Sequence, residues 1–234
     1  SVPQRSIQSI NTITSGIPAK HGDATGGVIS ITTKGASPTY NGSIELLSSQ
    51  FLDGYGFNEV EGNVSGPIYK KFKGTDSSTT KIGFQFGGAI TYQDENRPTV
   101  EDYQVVKDDA LEELRERPLV RDPTAEGFRR NASFITDDDI KNVSNRPNVD
   151  RFNTNMTGKL TYNVSEQIDL IAGGQFGYVD RPDFNRTDAM FNYNNYPQFE
   201  ETSWRTYLRL TQSFANSEDQ SGISNVFYSI QLAY

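Results

Sequence analysis

Residues 81–93 read K-I-G-F-Q-F-G-G-A-I-T-Y-Q, and their two alternating sets of side chains differ in kind. Even positions carry Ile82, Phe84, Phe86, Gly88, Ile90 and Tyr92, while odd positions carry Gly83, Gln85, Gly87, Ala89, Thr91 and Gln93. Side chains of a β-strand alternate with a period of two, so this stretch predicts a strand with one apolar face and one small, polar face. It is longer than the usual globular strand and matches the roughly 9–11 residues that a tilted strand needs to cross a bilayer.

The same parity returns along the chain. Residues 40–51 set Tyr40, Gly42, Ile44 and Leu46 against Asn41, Ser43 and Glu45. Residues 57–68 set Val60, Gly62, Val64, Gly66 and Ile68 against Glu59, Glu61, Asn63 and Ser65, with Pro67 read as the exit from the ladder. Further strands are expected over 151–164, 168–179, 202–214 and 223–234. That makes seven, with residues 69–80 read as a polar connection.

A soluble sandwich also alternates, but three features together favour a membrane barrel. No Asp, Glu, Lys or Arg falls on the even face of these strands, while Glu45, Glu59, Glu61, Arg151, Lys159, Asp169, Arg205 and Arg209 fall on the odd one. A charge facing lipid at the midplane costs ~2–4 kcal/mol, and one facing a wet lumen costs little. Aromatics gather at the ends of the apolar faces: Tyr92, Phe152, Tyr178 and Trp204 at one end, Tyr40, Tyr162 and Phe214 at the other. After the first hairpin, short turns alternate with long loops. Seven strands is an odd number with bare edges, so the chain is expected to be part of a larger closed barrel.

Composition narrows the functions. Hydrophobic residues make up only 34% of 234, and no run is long enough for a transmembrane helix. The net charge of −8 and the lack of a basic cluster beyond Lys70, Lys71 and Lys73 argue against nucleic acid. Zero cysteines remove thiolate metal sites and cysteine nucleophiles. No catalytic constellation is visible, so an enzyme is not expected, and no cofactor is called for. Ser1 is neither an initiator methionine nor the start of a signal peptide, which fits a processed product or a fragment.

Two segments depart from the alternation. Residues 94–150 form the longest insertion, and a structureless loop of that length would be unusual. Thr99 to Asp102 resembles a capping box, with Tyr103, Val106, Ala110, Leu111 and Leu114 on one face of a helix ending before Pro118. A second helix start is expected at Thr136, with Asp139 at its third position and Ile135 and Ile140 as a hydrophobic staple. Residues 180–200 form a second long loop, in which Phe191, Tyr193, Asn194 and Tyr196 mix flat rings with amides, as sugar- and peptide-binding surfaces do. The alternative is that these rings pack the loop onto its neighbours.

The remaining candidates read more plainly. The glycine-rich turn 16–27 leads into a strand and lacks the ending of a phosphate loop, so it reads as a tight backbone crossing. His21, the single histidine, sits in that turn and is better explained by packing than by pH sensing. The Asp137–Asp139 triplet is better explained by helix capping than by a cation. Glu59 and Glu61 have no His or Cys partner for acid–base work.

The run from Ser15 to Gly35, S-G-I-P-A-K-H-G-D-A-T-G-G-V-I-S-I-T-T-K-G, resembles the end of the plug domain of TonB-dependent outer-membrane receptors. Residues 57–68, F-N-E-V-E-G-N-V-S-G-P-I, resemble an early barrel strand of the Bacteroidetes receptors that carry a carboxypeptidase-regulatory-like domain upstream. The resemblance implies an all-β fold: the C-terminal part of a plug over residues 1–36, then over 40–234 the first strands of a transmembrane antiparallel β-barrel of about 22 strands. It makes Gly22, Asp23, Gly26 and Gly27 the plug-end motif and places Glu59, Glu61, Arg151, Lys159, Arg205 and Arg209 toward the lumen. The implied function is energy-coupled uptake of a nutrient such as a glycan, peptide or metal chelate across the outer membrane of a Gram-negative bacterium. Implied partners are outer-membrane lipid and a periplasmic TonB-type protein, contacted through a segment upstream of Ser1. A surface lipoprotein or other outer-membrane subunits could join them, although the glycine pattern departs from that of the starch-utilisation subgroup. The competing expectation is a structural or assembly subunit that uses the same barrel without transport.

Overall fold

The computed structural model describes residues 2–15, 17, 26–73, 77–214 and 226–234. The chain is all-β with antiparallel sheets, and the largest sheet has seven strands. These are β3 (Asn41–Ser48), β4 (Asn58–Lys73), β5 (Ser77–Gln93), β10 (Arg151–Asn163), β11 (Ile168–Pro182), β12 (Gln198–Ser213) and β13 (Phe227–Ala233). They pair in chain order as a meander, and the sheet is open, with β3 and β13 at its edges. Before it, β1 (Ile7–Ile13) and β2 (Val28–Thr33) pair antiparallel as a separate two-stranded sheet.

The register keeps the two faces apart across the whole sheet. Val60 lies opposite Ile90, Phe84 opposite Leu160, Leu170 opposite Leu210 and Leu210 opposite Ile230. A one-residue slip would exchange the faces, so the apolar pattern itself fixes the pairing. The even face is bare: Ile44 is 75% exposed and Leu232 69%, and Phe86, Ile90, Leu160, Phe176, Trp204 and Leu208 are exposed as well. The odd face is partly covered, and there Glu61, Ser65, Gln85, Ala89 and Thr157 are buried.

Two details differ from expectation. Residues 69–73 and 77–80 are not part of a loop, because β4 and β5 continue as a paired ladder out to Lys73 and Ser77. Pro67 stays within that ladder at an irregularity between Pro67 and Lys70, where a bulge tolerates its missing N–H. The bulge shifts the parity of the following residues, which is why the alternation fades beyond it.

Seven aromatic residues of the even face fall on two lines, and Phe86 and Phe176 lie between them. Tyr92 and Phe152 share a row; Tyr178 sits two residues further down its strand than that row, and Trp204 four. At the opposite end Tyr40 lies over Gly66, level with Phe84 and Leu160, while Tyr162 is two residues beyond and Phe214 six. With strands ~4.8 Å apart and a rise of ~3.3 Å per residue, both lines cross the strands in the same sense at about 40° from the perpendicular. Phe152 and Tyr162 are ten residues apart, as are Trp204 and Phe214. Those ten residues span ~33 Å along the strand, so the band between the lines is about 25 Å tall.

The segment between β5 and β10 folds as a small head. It holds β6 (Tyr103–Val106) paired with β9 (Ile140–Val143), α1 (Asp108–Glu116), and the hairpin of β7 (Leu119–Arg121) and β8 (Phe128–Arg130). The expected helix begins later than its apolar spacing suggested. Tyr103 and Val106 belong to a strand, and Thr99 bonds the Glu101 carbonyl at 2.6 Å. The box at Thr136 does form, with Asp139 Oδ2 accepting from the Thr136 amide at 2.9 Å, but it caps only the single 3-10 turn Asp137–Asp139 before β9 begins.

Candidate functional site

Two places bring polar chemistry together: the odd face of the sheet under the β1–β2 hairpin, and the underside of the head. The hairpin is held to the odd face by its ends. The Arg5 amide donates to Glu61, its Nε donates to Glu45 Oε2 at 2.5 Å, and Asn63 Nδ2 donates to the Arg5 carbonyl at 3.3 Å. At the other end Lys159 Nζ donates to the carbonyls of Thr33 and Lys34 at 3.0 and 3.1 Å. Between these anchors the backbone passes so close that a Cβ on Gly87 would lie 1.9 Å from Ser6 Oγ, and one on Gly83 2.5 Å from Ala36 Cβ. The small odd-side residues of β5 are therefore the bed on which the N-terminal segment rests.

Beside this bed a cavity of about 670 Å³ opens between β2 and strands β10 to β13. Lys159, Arg205 and Arg209 line it, and no Asp or Glu is among its described lining residues. Tyr207 crosses it on top of Gly173, where a Cβ would meet the ring at 2.6 Å. Of the other odd-face charges, Glu59 accepts from Thr91 Oγ1 at 3.1 Å and Arg151 Nε donates to Asn153 Oδ1 at 3.0 Å.

The head is built on an apolar core of Val105, Val106, Leu111, Val149, Tyr193 and Tyr196. Two of the four loop residues that the sequence offered to a ligand are thus in that core. Tyr193 and Tyr196 are both buried, and the Tyr193 hydroxyl donates to Asp108 Oδ1 at 2.9 Å. Phe191 is partly buried against the same core, while Asn194 is exposed. The two long loops therefore fold together as one unit, with the 183–197 loop supplying its aromatic wall.

A buried ion pair ties the head to the top of β5, and no local motif announces it. Glu95 is 0% exposed; Arg146 donates to it through Nε at 2.8 Å and through Nη2, and the Arg97 amide donates at 2.8 Å. Burial alone would raise the carboxyl pKa, but these donors and the guanidinium charge outweigh it and hold it below the usual glutamate value. Arg146 also stacks on Phe184 at 4.5 Å from the ring centre. Below the head lies a second cavity of about 530 Å³, lined by Arg97, Arg151, Arg181 and Phe199 among others, with Arg181 stacked on Phe199 at 4.5 Å.

Of the glycine motif, Gly26 precedes β2 and Gly27 has a φ of 136°, a conformation that favours glycine. Gly22, Asp23 and His21 lie outside the described residues. Among the described residues no cluster of acidic or histidine side chains could hold a metal, and no helix is long and apolar enough to cross a membrane. No family model matches the chain, nor does any curated protein or solved structure.

Proposed function

We propose that the seven-stranded sheet is part of the wall of an outer-membrane β-barrel, that the β1–β2 hairpin is the end of a plug on its lumen side, and that the whole works as a TonB-dependent importer of a nutrient. The observation that carries this reading is the bare apolar band. It is about 25 Å tall, is edged by two parallel aromatic lines, and has strands inclined at about 40°, as outer-membrane barrels have. A sheet in water would bury that face against a second layer. Here the layer lies against the polar face, which suits a lumen filled by a plug.

In this reading lipid contacts Leu160, Phe176 and Leu208, while Glu59, Glu61, Arg151, Lys159, Arg205 and Arg209 face the interior. The head stands on the side of the long loops, where a solute from outside would arrive, and energy coupling works from the side of the short turns. Nutrient uptake by a strain lacking the whole protein tests the proposal. Loss of growth on one nutrient class, restored by the wild-type gene, is the expected outcome; unchanged uptake of every candidate contradicts it. The folded head, with Val100 and Phe128 fully or largely exposed, also favours a second reading in which the barrel is a subunit of an outer-membrane assembly. Stoichiometric partners that co-purify in mild detergent would select that one.

A further inference from the structure

We propose that the cavity between β2 and strands β10 to β13 binds a small solute bearing carboxylate or phosphate oxygens. It sits halfway up the wall, since Gln85, Thr157 and Arg205 each lie at or near the midpoint of their strands. The site is therefore separate from the loops at the rim.

The register explains how the cations converge. One cross-strand row runs Gln85, Lys159, Gly173, Tyr207, Ala233. Arg205 and Arg209 flank Tyr207 on the same face, each about 7 Å along the strand. Glycine at 173 leaves room for the Tyr207 ring, whose hydroxyl end lies directly over it. Arg209 is steadied by its Nε bond to Gln231 at 2.8 Å, which leaves its terminal nitrogens to point elsewhere. In a chain of net charge −8, a cavity with three cations and no described carboxylate is a local reversal of sign. Such a cavity focuses anions.

Unspent hydrogen-bonding capacity is the second observation. Gln85 is 2% exposed and neither its Oε1 nor its Nε2 has a partner; Thr157 Oγ1, also buried, has none either. Buried polar atoms left unpaired cost free energy, and they are normally satisfied. Both side chains line this cavity. These atoms have almost no accessible surface as they stand, so a small rotation of each side chain would turn Gln85 Nε2 and Thr157 Oγ1 to donate to an oxyanion held by the guanidinium groups, and Gln85 Oε1 to accept from a hydroxyl on the same solute. Arginine's planar fork suits carboxylate and phosphate equally, so the chemistry names the oxyanion and leaves its bearer open.

The role as a station on a solute path rests on the importer reading; binding itself does not. Calorimetric titration of the whole protein in detergent at low salt, with citrate, inorganic phosphate and raffinose as separate probes, tests it. The expected result is binding of citrate, phosphate or both, and no binding of raffinose. The Arg205→Gln/Arg209→Gln double variant should lose at least about tenfold in affinity, from charge-assisted bonds. Arg121→Gln/Arg130→Gln, an equal charge change in the head, should lose nothing. Thr157→Val, an almost isosteric change that spares the arginines, should lose roughly threefold. Binding of neither anion, equal binding of raffinose, or an affinity that the cavity double variant does not lower overturns the proposal. A protein that imports a neutral nutrient while binding no anion would refute this site and leave the importer reading standing.

Discussion

The head and the wall bury opposite chemistry. In the head Val105, Val106 and Leu111 are inside and the charges of α1 face out, as in any protein folded in water. In the wall Glu61, Ser65, Gln85 and Thr157 are inside, while Ile44, Leu46, Leu208 and Leu232 stand in the open. On the proposed reading both regions obey one rule, that side chains meet the solvent they match, and the solvent differs. The proposed wall would then end at the line of Tyr92 and Phe152, just below Glu95.

Ways to break this contrast begin with the ion pair that joins the regions. Glu95→Gln leaves Arg146 buried without its counter-charge and is expected to destabilise the head by about 3–5 kcal/mol. Hydrogen exchange should rise over residues 94–150 while β10 to β12 stay protected. Because the Glu95 pKa is depressed on folding, its contribution is fully present above the ordinary glutamate pKa of about 4.3. It is lost as pH falls through the lower folded value, so acid should open the wild-type head and leave Glu95→Gln insensitive in that range.

Leu208→Arg addresses the wall alone. At mid-band it should cost ~2–4 kcal/mol in lipid-reconstituted unfolding and leave the head unchanged. Gly87→Val tests the covered face, since its side chain must displace Ser6. A loss of about 1–3 kcal/mol is expected, with faster tryptic cleavage at Arg5. The smallest effect is Tyr193→Phe, which removes one hydrogen bond to Asp108 and should lower head stability by about 0.5–1.5 kcal/mol in urea titration.

The wall was legible because a period of two leaves a strong trace over long strands. The seven strands followed from parity, which the Pro67 bulge resets and which odd-face apolar residues such as Leu47 and Ile171 blur. The head was less legible. Tyr103, Val106 and Ala110 happen to fall at helical spacing, yet Val105 and Val106 are both buried, because a strand paired with β9 is covered from two sides. Local capping signals at Thr136 were real and marked a single turn. In the candidate site, the odd-face set Lys159, Arg205 and Arg209 could be read from register, whereas Gln85 looked merely polar. Its burial depends on the distant β1–β2 hairpin near the start of the chain, and no local pattern encodes that contact.

The alternating environment of β12 is the most direct test. Each of residues 206–211 can carry a single fluorescent label on an introduced cysteine, since this sequence has none of its own. With the whole protein in bilayers, lipid-borne quenchers should act at 206, 208 and 210, and water-soluble ones at 207, 209 and 211. Equal access of the aqueous quencher to both sets would contradict a wall with lipid on one side and water on the other.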